Sequence, residues 1–132
     1  MKLWIVALAA GVTAAGAAAQ AHHSIAGVYD RGREATVDGV VTQFQFVNPH
    51  PFLDVRDGRT NQQWRLEMDN RGELAAIGFD LYTLKPGDRV VVIGSLARRE
   101  ANHMYIRRLD RPSDGFSYEQ VGNSPQLRAR PR

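Results

Sequence analysis

Gly, Pro and Asn punctuation cuts residues 35–110 into short β-rich runs with a single helical stretch among them, and this pattern constrains the fold most. Thr36 to Val47 reads as a long first strand, expected to place Val40, Thr42, Phe44 and Phe46 on one face. Asn48-Pro49-His50-Pro51 then interrupts it, because a central strand cannot continue through closely spaced prolines. Phe52 to Arg56 is a second strand, and Asp57-Gly58-Arg59-Thr60-Asn61 is a turn. Gln63 to Asp69 alternates, with Trp64, Leu66 and Met68 inward and Arg65, Glu67 and Asp69 outward. Asn70 can cap a short helix over Arg71–Ile77 that stops at Gly78. Lys85-Pro86-Gly87-Asp88 turns the chain into a fourth strand, Arg89 to Leu96. A loop at Arg98–Asn102 leads to a fifth, His103 to Leu109.

The order is β-β-β-α-β-β, the element order of an OB-fold. The expectation is an all-β chain with one short helix, folded as a small five-stranded OB-like barrel over residues 35–110. A β-sandwich competes, but a core of roughly 75–90 residues is small for one. Residues 22–34 are read as an irregular lead-in. Residues 111–132, rich in Pro, Ser, Gly, Gln and Arg, are read as a disordered tail.

The first 21 residues set the expected compartment. Lys2 supplies a positive start, an apolar stretch begins at Ile5, and Ala19-Gln20-Ala21 offers small residues where a signal peptidase needs them. Residues 1–21 are therefore read as a signal peptide, with the product in the periplasm and no membrane span after its removal. Cleavage after Ala21 makes His22 the N-terminus; cleavage after Ala19 puts His22 third. A terminal His chelates a metal through its amine and imidazole. A third-position His suits square-planar Cu(II) or Ni(II), which also bind deprotonated amides.

Charge and cysteine content exclude several classes. The chain carries 17 Lys+Arg against 14 Asp+Glu, a formal net charge of +3. Lys2 and the arginines beyond Asp110 account for that excess, which leaves residues 22–110 balanced. A strongly basic nucleic-acid-binding domain is unlike this distribution. With no Cys there is no disulfide, thiolate-metal site or Cys nucleophile.

The four histidines, His22, His23, His50 and His103, fall in loops, at strand ends or at the expected mature terminus. In an OB-fold the loops joining strands 1–2 and 4–5 flank the ligand face. His50 sits in the first and His103 ends the second. The segment from His23 to Thr36 spans roughly 40 Å when extended, enough to return along the barrel. These four residues are the candidate metal ligands, with Asn48, Glu67 and Asp69 as partners for the imidazole N–H groups. Copper is the expected metal, with zinc and nickel as alternatives. The competing explanation for each histidine is a solvated surface residue. Met104 alternates away from His103 and reads as core.

Other chemistry is weakly signalled. No serine-hydrolase elbow, zinc-protease helix, Walker loop or Rossmann glycine pattern is present. Glu67 and Asp69 could act as paired carboxylates, or form a solvated strand face. Arg98, Arg99, Arg107 and Arg108 form a basic patch which, with Tyr105 and Phe52, could suit an anionic ligand or single-stranded nucleic acid; export and a neutral body argue against nucleic acid, and a solvated face is the commoner explanation.

Ala21-His22-His23-Ser24 after a leader, then Asn48-Pro49-His50, Trp64 to Met68 and Leu84-Lys85-Pro86-Gly87-Asp88, resembles a family of small exported bacterial proteins of unknown function. The resemblance covers roughly residues 21–110. It implies export and a compact β fold, and marks His22, His23 and His50 as motif positions. It implies no activity, and His103 lies outside its motifs.

The leading expectation is a non-enzymatic periplasmic metal-binding module for carriage, buffering or delivery. The alternative is an exported interaction module for a protein, glycan or small anion, with incidental histidines. A copper-dependent redox enzyme is the third class.

Overall fold

The computed structural model describes residues 25–129; the leader, His22 and His23 lie outside the described residues. Seven strands are present: β1 Tyr29–Gln45, β2 Phe52–Asp57, β3 Gln63–Glu67, β4 Arg89–Ala97, β5 His103–Arg111, β6 Phe116–Val121 and β7 Ser124–Ala129. One helix, α1 (Arg71–Ala76), connects β3 to β4, and residues 25–28 form a helical turn before β1. β1 pairs antiparallel with both β2 and β4, β2 with β3, and β4 with β5. A parallel pairing of β3 with β5 completes a closed circuit, β1-β2-β3-β5-β4. That circuit, with the helix between its third and fourth strands, is OB-like.

One apolar core fills the circuit. Val37, Val41, Leu53, Val55, Leu66, Met68, Val90, Val92, Met104, Ile106 and Leu109 are all essentially inaccessible. α1 closes the core with Leu74, the one buried residue of the helix. Asn70 caps it, its side chain accepting from Gly72 N and Glu73 N. Two glycines are required by strand approach. A Cβ on Gly39 would lie 2.2 Å from the Arg56 carbonyl oxygen, and one on Gly94 would lie 2.6 Å from that of Tyr105.

The structure departs from the sequence expectation in three places. First, β1 begins at Tyr29, so residues 29–34 of the stretch expected to be irregular are strand. Its pairing with β4 skips between Tyr29↔Ala97 and Glu34↔Ser95, so residues 30–33 arch away from the sheet. That arch breaks the alternation that would have betrayed the strand.

Second, Val40 is 42% exposed and the inward residues are Val37 and Val41. A β-bulge between Val41 and Gln43 reverses the phase, after which Phe44 and Phe46 pack against the core. Thr42 is the extra residue. Its hydroxyl donates to the Asp54 carbonyl at 3.2 Å and accepts from Gln63 Nε2 at 2.6 Å.

Third, the segment expected to be a disordered tail carries β6 and β7, so there are seven strands rather than five. Phe116 and Tyr118 are inaccessible and meet Phe79 edge-on at 5.7 and 5.5 Å. Their i, i+2 spacing was visible, but the polar residues around them masked it.

Candidate functional site

Strand alternation sends Met104 and Ile106 into the core and turns His103 and Tyr105 to the opposite face of β5. The parallel register sets His103 beside Arg65 and Tyr105 beside Glu67. Tyr29, at the start of β1, packs over this face with Tyr105, Ala97 and Ile25 as a second apolar cluster. The Tyr29 ring lies 5.8 Å from the His103 ring and 5.7 Å from Tyr105. Its hydroxyl donates a short hydrogen bond to Glu67 Oε2.

The other oxygen of Glu67 faces His50, with Oε1 3.5 Å from Nδ1. His50 Nδ1 also lies 2.9 Å from the Met68 carbonyl oxygen. A carbonyl only accepts, so Nδ1 carries the proton; in the neutral ring Nε2 then holds the lone pair. The loop containing His50 is seated on the strand behind it, because Met68 N donates to the Pro51 carbonyl and Arg71 N to that of Pro49.

His103 is set in the same way by a different partner. Its Nδ1 lies 2.8 Å from Glu100 Oε2 in the β4–β5 loop. Its Nε2 is buried and has no hydrogen-bond partner among the described residues. Glu100 also lines a cleft of about 300 Å³, with Gly27, Val28, Ala97, Arg98 and Arg99. A ring with Nδ1 held by an acceptor and Nε2 left over is how ligand histidines are oriented.

Tyr29 and Glu67 thus connect His50 and His103, which are far apart in sequence, on one face. Among the described residues no group of three or more His, Cys, Asp or Glu side chains could hold a metal ion. Any metal site here needs a donor beyond His50 and His103, and the candidates His22 and His23 lie outside the described residues. Of the expected supporting residues, Glu67 contacts an imidazole. Asp69, expected outward on the strand, is instead buried just beyond β3, where it accepts from Asn70 N at 2.7 Å and from Gln120 Nε2 at 2.7 Å, which ties β6 to the end of β3. Asn48 is exposed.

Sequence reasoning missed Tyr29 because it sits in an aperiodic stretch; the only signal was an isolated aromatic in a polar segment. Burial, then the hydrogen bond and charge of Glu67, push its hydroxyl well above the ordinary tyrosine value. Tyr105 is pushed up as well, by burial and then by the charge of Asp69. Arg107 lies over the Tyr105 ring at 4.9 Å and donates from Nε to Ser95 Oγ at 3.0 Å. Burial pulls its guanidinium below the usual arginine value, with Arg31 adding to that pull and Tyr105 and Glu34 opposing it. The rest of the basic patch is partly neutralised: Arg98 pairs with Asp30 at 3.4 Å and Arg108 with Asp110 at 2.7 Å.

With this geometry in hand, comparison with known proteins decides the family. Residues 9–105 match a family of unknown function, DUF6152. The chain belongs to that family. The match ends within β5, so the β6–β7 hairpin lies beyond the DUF6152 segment. No curated protein sequence matches the chain. Two solved structures are similar in shape. One is the Stn1–Ten1 complex of S. pombe, with 15% identity, 62% of each chain covered and a TM-score of 0.49. The other is a ZRD-deleted mutant of TiaS in complex with agmatine, with 15% identity and a TM-score of 0.47, covering 77% of this chain and 25% of that one. The chain therefore spans about six-tenths of the first and a quarter of the second. Among the described residues no helix is long and apolar enough to cross a membrane.

Proposed function

We propose that this DUF6152 protein is an exported metal-binding module, with copper its metal, in which an OB-like five-stranded barrel presents His50 and His103 and the processed N-terminus supplies His22 and His23. Carriage, buffering or delivery of the ion in the periplasm is the role that fits such a module. The observation that carries this reading is the Tyr29–Glu67 connection. It links the neighbourhoods of His50 and His103, whose Nδ1 atoms are engaged by the Met68 carbonyl and by Glu100, the orientation that leaves Nε2 for an ion. It also anchors the chain only six residues after His23. A stretch that short reaches at most roughly 20 Å, which keeps the two remaining histidines within range of the site.

A third donor has to come from the terminus in this reading, because two imidazoles alone make a weak site. The amine and imidazole of a terminal His would complete a nitrogen-rich set suited to Cu(II). Zinc and nickel are tested as competitors. The experiment is a Cu(II) titration of the secreted chain against a competing chelator, read by native mass spectrometry. One retained copper is expected, and His50→Ala and His103→Ala each weaken it by about tenfold or more. Copper retained equally by the double variant would defeat the reading and leave the interaction-module alternative in its place.

A further inference from the structure

The loop between α1 and β4 is closed on itself. Asp80 Oδ1 accepts from Tyr82 N at 2.8 Å and from the Thr83 hydroxyl at 3.2 Å. Asp80 N donates to Thr83 Oγ at 2.9 Å, and Thr83 N to the Asp80 carbonyl at 3.2 Å. A turn fixed in this way has little conformational freedom left to lose on binding. What it holds up is an aromatic side chain. Tyr82 is 68% exposed, and no described ring or guanidinium packs on it.

Tyr82 stands on the wall of a cleft of about 500 Å³ formed by this loop, the β5–β6 turn and β7. A cleft of that size takes a small molecule. Its buried lining residues, Arg111 and Phe116, make the floor, and Arg111 is already paired with Asp88 and Asp114. Leu127 of β7 adds apolar surface. Asp80 Oδ2, Lys85 Nζ and the Ser113 hydroxyl belong to exposed lining residues and have no protein partner among the described residues. The lining sets the carboxylates of Asp80, Asp88 and Asp114 against Lys85 and Arg111, so it is close to charge balance and gives ions of either sign little purchase.

An open aromatic face with free donors and acceptors at its edge, in a nearly neutral cleft, is complementary to a sugar ring. One face of a pyranose is C–H and packs on an aromatic ring; its hydroxyls both donate and accept. The geometry points to a binding site for a neutral pyranose, the end of a glycan, with its apolar face against Tyr82 and its hydroxyls on Asp80, Lys85 and Ser113. Ser113, Phe116 and Leu127 lie beyond residue 105, where the DUF6152 match ends, so the β6–β7 hairpin and the turn before it complete the cleft. The site shares no residue with the histidine face and needs no metal.

The test is an NMR titration of the full secreted chain with cellobiose, N,N′-diacetylchitobiose, lactose and mannobiose, each to about 20 mM, enough to fill a millimolar site. Sorbitol, which has the hydroxyls without the ring face, and putrescine, a diamine, are the controls. The expected result is a saturable shift of the Tyr82 ring protons with at least one disaccharide and with neither control. Affinities of the variants are read by saturation transfer to the sugar. Tyr82→Ala changes an exposed side chain and leaves the core untouched; it is expected to weaken that sugar by about tenfold, and Ser113→Ala by about threefold. Tyr82→Phe keeps the ring and should stay within about twofold of the parent. No response to any of the disaccharides, an equal response to sorbitol, or an affinity unchanged in Tyr82→Ala overturns the site. A response to putrescine alone also overturns it, because it assigns the cleft to organic cations.

Discussion

Two polar regions flank the same core, and they treat their arginines differently. At the end of β5, Arg111 is closed in: its fork grips Asp114 at 3.0 and 2.7 Å, and Nη1 reaches Asp88 at 3.0 Å and the Thr83 carbonyl at 2.6 Å. Phe116 covers it at 4.9 Å. Asp88 also accepts from Lys85 N, and Asp114 from Phe116 N, so each carboxylate pins a turn as well as a charge. On the face of β3 and β5, by contrast, His103 Nε2 and Arg107 Nη2 are covered and unmatched. A network with its donors and acceptors used up holds a fold together. A cluster that leaves strong groups over carries a cost that an ordered water or a ligand offsets.

Arg111→Met should break the first region most severely. It leaves Asp88, Asp114 and a carbonyl without their donor, and the expected loss is about 2–4 kcal/mol by urea unfolding. Arg107→Met should cost less, about 1 kcal/mol, because losing the Ser95 hydrogen bond and the Tyr105 ring contact is partly offset by removing an N–H that had no partner. Equal losses in the two variants would erase the distinction.

Tyr29→Phe sharpens the second region. It keeps the ring against His103 and Tyr105 but takes the donor from Glu67, at an expected cost of about 1.5–2 kcal/mol. The same variant should weaken copper, because His50 loses its fixed carboxylate neighbour. Unchanged copper affinity would make Tyr29 a purely structural contact.

The smallest effect is in acid. The Arg111 hydrogen bond, with help from Phe116 N, holds the Asp114 carboxyl below its ordinary value of 3.8. A carboxyl depressed in the folded state contributes stability that is full above the unfolded value and lost as pH falls through the folded one. Stability should therefore hold at neutral pH and decline below roughly pH 4. Asp114→Asn should flatten that decline, measured as the midpoint of urea unfolding between pH 6 and pH 2.5. An identical acid limb in the variant would remove Asp114 from the network's contribution.

Much of the ring was legible from local pattern. β2, β3, β4 and β5 start at the expected residues, and α1 follows its Asn70 cap, because these elements obey short-range rules: alternation, turn glycines and capping. Where the pattern was interrupted, reading failed. The Thr42 bulge reversed the face of β1, and the arch at residues 30–33 hid its first turn-length. A bulge is stabilised by contacts across the sheet, here Asp54 and Gln63, so periodicity along one strand cannot report it.

The candidate site divides the same way. The residues themselves imposed what chemistry is available: imidazoles and no thiol, a proline-flanked His50, and no strongly basic body. Which of those groups meet was decided by tertiary structure. The parallel β3–β5 pairing sets Glu67 beside Tyr105 and brings Tyr29 across to both, and that pairing joins segments nearly forty residues apart. Side-chain identity is a local property, written position by position. Proximity across a closed sheet is a global one, set by the register in which all five strands bury their apolar faces at once.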